Sequence, residues 1–162
     1  MTLISLEAAI AIGEGSRRTW WRRISDNAAL KKGTDSRGRT MISYDAASEF
    51  IPMPIDQDAL GILIAADAGD SDAQNDAGLL FSEVENQKAA VYWWRAAADQ
   101  GHPDAMHHLG RCYTGGLGVS TDENIGIMWI AKAAASGHVI AQLQMKGLRP
   151  FIDWRTLELP NE

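Results

Sequence analysis

Apolar residues at the start of the chain recur with the period of a helix. Leu3, Leu6, Ala9 and Ile10 follow this spacing after a turn-like start, and Ser5 stands where an N-cap precedes Leu6 to Ile12. Gly13, Glu14 and Gly15 break the pattern, and Ser16 caps a second predicted helix from Arg17 to Ile24. On that helix Trp20 and Ile24 lie four residues apart and face the first helix. This places Arg17, Arg18, Trp21 and Arg22 on outward rows. Leu30 to Lys32 and Arg39 to Ser43 read as short strands around a turn-rich tip, Gly33 to Gly38. Ser43 then caps a third helix through Tyr44, Ala47 and Phe50, which Pro52 and Pro54 stop.

Beyond this point the pattern repeats. Gly69, Gly101 and Gly137 mark three registers spaced by 32 and then 36 residues, and Ala73, Ala105 and Ala141 each follow their glycine by four. Trp93 and Trp129 lie eight residues before the next register glycine, followed by Ala97-Ala98 and Ala133-Ala134. The extra residues of the longer period fall in a loop containing Gly115-Gly116-Leu117-Gly118-Val119. Stacked helical hairpins account for all of this, with small residues where helices approach closely and tryptophans filling the space between hairpins. The expected architecture is therefore mainly α: a small module over residues 1–55, then an α-solenoid over residues 56–162. Gln57 to Ala68 is expected to cap one end, and the tail carrying Phe151, Trp154 and Leu157 to cover the other.

Charge separates the same two parts. Residues 1–55 carry net +2 and residues 56–162 net −8, which the overall −6 conceals. Within Ser16 to Arg39 eight basic residues face two acidic ones, a density able to attract phosphates by counterion release. The composition, 46% hydrophobic and 22% charged, is that of a globular chain. No apolar run approaches the eighteen or so residues of a membrane span, and the N-terminus lacks the cationic lead of a secretory signal. A cytoplasmic protein without a membrane segment is the expectation. Cys112, the single cysteine, excludes an internal disulfide or a thiolate-rich zinc site and reads as a small apolar filler.

Two stretches resemble known families. Ser5-Leu6-Glu7-Ala8-Ala9, Ser16 to Ile24 and the basic hairpin Leu30 to Ile42 resemble the excisionase and MerR-type winged helix of bacterial regulators. The resemblance implies a winged helix-turn-helix module that binds double-stranded DNA. Arg17, Arg18, Thr19, Trp21 and Arg22 would lie in the major groove, and wing residues Arg37 and Arg39 on the backbone or minor groove. Ala105 to Tyr113, Gly118-Val119, Asp122, Trp129 and Lys132-Ala133-Ala134 resemble the Sel-one-like repeat, a relative of the tetratricopeptide repeat. That resemblance implies stacked antiparallel helix pairs with an adaptor surface for a protein partner.

Candidate catalytic chemistry finds little support. His102 and His138 occupy one repeat slot, while the adjacent His107 and His108 point to different faces and cannot chelate one ion together. Asp67, Asp70, Asp72 and Asp76 are read as helix-start and exposed carboxylates. No phosphate loop, nucleophile elbow or zinc-protease helix occurs. The sequence is thus read as non-enzymatic, without metal or cofactor. The leading expectation is a DNA-binding transcriptional regulator, a homodimer whose repeats mediate oligomerisation or recruit a protein. The alternative is a protein-interaction adaptor without DNA binding.

Overall fold

Ser5 ends one element and begins the next. In the computed structural model, which describes residues 2–53 and 55–148, strand β1 (Leu3–Ser5) runs into helix α1 (Leu6–Ile12). The Ser5 Oγ accepts from Ala8 N at 3.1 Å and so caps the helix. Helix α2 (Arg17–Asp26) follows the glycine turn and is capped by Ser16, whose Oγ accepts from Thr19 N at 3.2 Å. Strands β2 (Lys31–Thr34) and β3 (Thr40–Ser43) form the hairpin, and α3 (Tyr44–Ala47) leads into a 3₁₀ turn over Ser48–Phe50.

The strand β1 corrects the reading of the chain start as a turn. It pairs antiparallel with β3, Ile4 opposite Ile42, so the sheet has the order β1-β3-β2 with β3 in the centre. Three residues carry too short a pattern for period-two alternation to be legible, and the pairing is long-range. Between Lys31 and Gly33 the β2 register shifts by a bulge. Ile4, Leu6, Ile12, Trp20, Leu30 and Ile42 are fully buried under this sheet and helix pair.

Six helices follow as antiparallel hairpins: α4 (Gln57–Ala68), α5 (Ser71–Glu83), α6 (Gln87–Asp99), α7 (Pro103–Gly115), α8 (Glu123–Ala135) and α9 (Val139–Leu148). Three of them start on the same repeat slot. Asp70 caps α5, and His102 and His138 cap α7 and α9, each imidazole accepting through Nδ1 from Ala105 N at 3.3 Å and Ala141 N at 3.0 Å. With Nδ1 accepting, the proton sits on Nε2. This atom lies 3.3 Å from Asp72 Oδ1 in His102 and 3.5 Å from Asp104 Oδ1 in His138, so each cap also ties its helix to the preceding repeat.

Trp93 is buried between hairpins, as its repeat position implies, and so is Trp129. Trp94 needs a special neighbour: a Cβ on Gly78 would stand 2.4 Å from its indole, so glycine lets the ring lie on the α5 backbone. The expected cap formed by Phe151, Trp154 and Leu157 falls outside the described residues. No helix of the described residues is long and apolar enough to cross a membrane.

One buried cluster runs through both parts of the chain, from Ile4 and Trp20 to Phe81, Trp93 and Ala133. A polar clamp joins them as well. The Asp67 carboxylate, at the end of α4, accepts from Ser5 N at 2.7 Å and Ser5 Oγ at 2.6 Å, while Arg39 Nη1 donates to Asp67 Oδ1 at 2.9 Å and Asp67 O at 2.7 Å. Arg39 also donates from Nε to Asp35 Oδ2 at 2.8 Å, and Arg37 Nη2 to Ala68 O at 2.7 Å. Two guanidinium groups therefore sit on the open carbonyls and negative dipole end of α4. Asp67, read from sequence as an exposed carboxylate, is in fact buried. The reason is tertiary, since its partners are 62 and 28 residues away.

Candidate functional site

Two of the exposed surfaces among the described residues carry the candidate sites. The first is the outer row of α2. Its inner row, Trp20 and Ile24, is buried, and helical geometry turns Arg18, Trp21 and Arg22 to solvent. Trp21 is 42% exposed, unusual for so large a ring. Arg17 is exposed but meets Glu7, with Nη1 at 3.0 Å from Oε1 and Nη2 at 2.8 Å from Oε2. The Thr19 hydroxyl lies 3.0 Å from Ser16 Oγ at the start of the helix. Arg23 turns away from this row, donating to Glu14 O at 2.6 Å with its guanidinium 4.0 Å from the Phe50 ring centre. Lys31 and Lys32 are exposed on β2.

The structure thus brings Arg17, Arg18, Thr19, Trp21 and Arg22 together on one helix. It sets Arg37 and Arg39 apart. The wing arginines, expected on the backbone or minor groove of DNA, make contacts within the chain: Arg39 is held between Asp35 and Asp67, and Arg37, though exposed, reaches the end of α4. Contacts with Arg39 also hold the Asp35 carboxyl below its ordinary range, chiefly through the Arg39 backbone N–H.

The second surface lies on the repeats. A cavity of about 200 Å³ opens between α5, α6 and α7, lined by Leu79, Ser82, Trp94, His108, Arg111 and Cys112, with Gln87 and Leu117 at its edge. Leu117 belongs to the α7–α8 loop. Gly118, at φ +70°, lets this loop lie against the start of α6, because a Cβ there would stand 2.4 Å from Gln87 O. His108 stacks on Trp94 with ring centres 4.7 Å apart, while His107 stacks on His138 at 4.2 Å. The two histidines do face different ways. Burial pushes the Cys112 thiol up to about 11, so it is no nucleophile near neutral pH.

His108 gives the wall of this cavity a pH dependence. Burial first, then the neighbouring His107 and Arg111, lowers its pKa from 6.5 to about 4, so the folded protein holds it neutral. A group whose folded pKa is depressed contributes stability that is complete above pH 6.5 and is lost as pH falls towards 4. We expect denaturant unfolding of the wild type to weaken across this window more steeply than that of His108→Gln. Parallel curves for the two proteins would refute the assignment.

With this geometry in place the class is that of a helical-repeat protein. The family model of the Sel1 repeat matches residues 71–102 and 103–138. Among solved structures the chain is similar to a Sel1 repeat protein from Oxalobacter formigenes, with a TM-score of 0.51 and 27% identity over 65% of this chain and 74% of that one. Among curated proteins it is 38% identical over 87 residues to DAP3-binding cell death enhancer 1 of Rattus norvegicus. It is 34% identical over 87 residues to the Mus musculus protein of that name. These matches cover 52% of this chain and only 17% of either relative's length.

Proposed function

We propose that the chain is a non-enzymatic protein-interaction adaptor that recognises its partner through the Sel1 repeats. The observation that carries this reading is the cavity on the repeats. It is an apolar recess between three helices, rimmed by the exposed Leu79 and Leu117, and hot-spot anchors of protein partners fill recesses of this kind. The name of the curated relatives, which describes them as binding a protein, fits the same reading. Panning a displayed peptide library on the immobilised chain tests it. Enriched peptides should bind the wild type and lose affinity for Leu79→Arg, while Arg22→Ala leaves them bound. A library that yields no peptide sensitive to Leu79→Arg counts against the adaptor.

A second reading is favoured by the exposed row of α2. Two helices joined by a glycine turn, followed by a β-hairpin, have the order of a winged helix-turn-helix. Arg17, Arg18, Thr19, Trp21 and Arg22 then form the face that would enter the major groove of double-stranded DNA in a transcriptional regulator. In this reading binding to a selected duplex weakens steeply with salt, each neutralised phosphate contributing about 0.9 to the slope. Arg22→Ala reduces affinity with the fold intact. Arg39→Ala instead acts through stability, because its partners lie within the chain. Absence of binding to any duplex at low salt removes this reading and leaves the first untouched.

A further inference from the structure

The repeats and the α2 row are opposite in charge: residues 56–162 carry net −8, while Arg18 and Arg22 stand exposed on α2. Three exposed carboxylates stand on the helices that form the cavity, outside its lining: Asp76 and Glu83 on α5 and Asp104 on α7. Asp104 is 3.5 Å from the His138 ring, and no salt bridge occupies Asp76 or Glu83 among the described residues. The lining holds a single cation, Arg111, and no carboxylate. An occupant suited to these features is an aromatic ring carried between basic residues. Such a ring would enter beside Trp94, His108 and Arg111, and its basic neighbours would meet the acidic surface of the repeats.

The chain itself displays such a group. Trp21 stands out from α2 with Arg18 three residues before it and Arg22 after it, all exposed. We propose that Trp21 of one copy inserts into the repeat cavity of a second copy, so that copies associate through unlike surfaces, α2 on one and α5–α7 on the other. The inference rests on the protein-binding reading of the repeats and names a second copy as a partner. Such an interface is heterologous, and each chain can both give and receive a tryptophan.

Sedimentation of the full chain over a rising concentration series tests the pairing. The wild type should gain mass with concentration, less so at high salt. Trp21→Ala and Leu79→Arg should each weaken association by about thirty-fold, the loss expected for a hot-spot anchor. The two variants mixed together should associate, because one keeps the cavity and the other keeps the tryptophan. Leu117→Arg, on the loop edge, repeats the cavity test without altering a helix. A wild type that stays monomeric into the high micromolar range overturns the proposal, as does a Trp21→Ala variant that associates like the wild type or a mixture that fails to pair. Peptides selected on the repeats of a chain that stays monomeric would sink this inference alone and leave the adaptor reading standing.

Discussion

Asp67→Ala should destabilise the protein by about 3–5 kcal/mol, the range for removing one partner of a buried ion pair. The carboxylate is the meeting point of Ser5 N, Ser5 Oγ and Arg39 Nη1, all within 2.9 Å. Without it the Ser5 N–H loses its partner in a buried setting, and Arg39 keeps only Asp35 and the Asp67 carbonyl. For a chain of this size the melting temperature should fall on the order of 10 °C. Arg39→Ala should cost less, because its side chain remains 28% exposed and Asp67 keeps both bonds from Ser5. The two losses should not add, since the residues share one network; a double-mutant cycle measures the coupling. Additive and small effects would show that the clamp does not hold the N-terminal part against the repeats.

Trp20→Ala is expected to cost about 3–5 kcal/mol as well, through a cavity rather than an unpaired charge. Trp20 is 0% exposed, meets Phe50 edge to face at 5.8 Å between ring centres, and packs beside Gly13. Its indole Nε1 is buried and has no hydrogen-bond partner among the described residues, so Trp20→Phe removes an unsatisfied donor and should be far milder than Trp20→Ala. Trp21→Ala, one position on, should leave stability nearly unchanged and act only on binding. Chemical denaturation of the three variants separates these outcomes. Equal losses for Trp20→Ala and Trp21→Ala would mean that the helix presents a different face to the core.

These expectations depend unequally on sequence and on tertiary structure. Local pattern sufficed for α1 and α2, whose caps Ser5 and Ser16 and apolar spacing are written within a few residues. It also sufficed for the inward turn of Trp20 and the outward turn of Trp21, because a helix turns successive residues by about 100° and Trp20 shares its face with Ile24 four residues on. The repeats were legible from glycine, alanine and tryptophan spacing alone, since each hairpin packs mainly on the next one along the chain. Strand β1 was not legible, because three residues become a strand only when β3 lies beside them. Nor was the fate of the basic residues. Sequence places Arg37 and Arg39 in one charged block with Arg18 and Arg22, and only the approach of α4 decides that the first two bind its C-terminal end while the others stay in solvent. The cavity between α5, α6 and α7 is of the same kind: its residues run from Leu79 to Leu117, and stacking of the hairpins alone makes them neighbours. Periodicity determines which side of an element a residue takes, whereas long-range packing determines what that side meets.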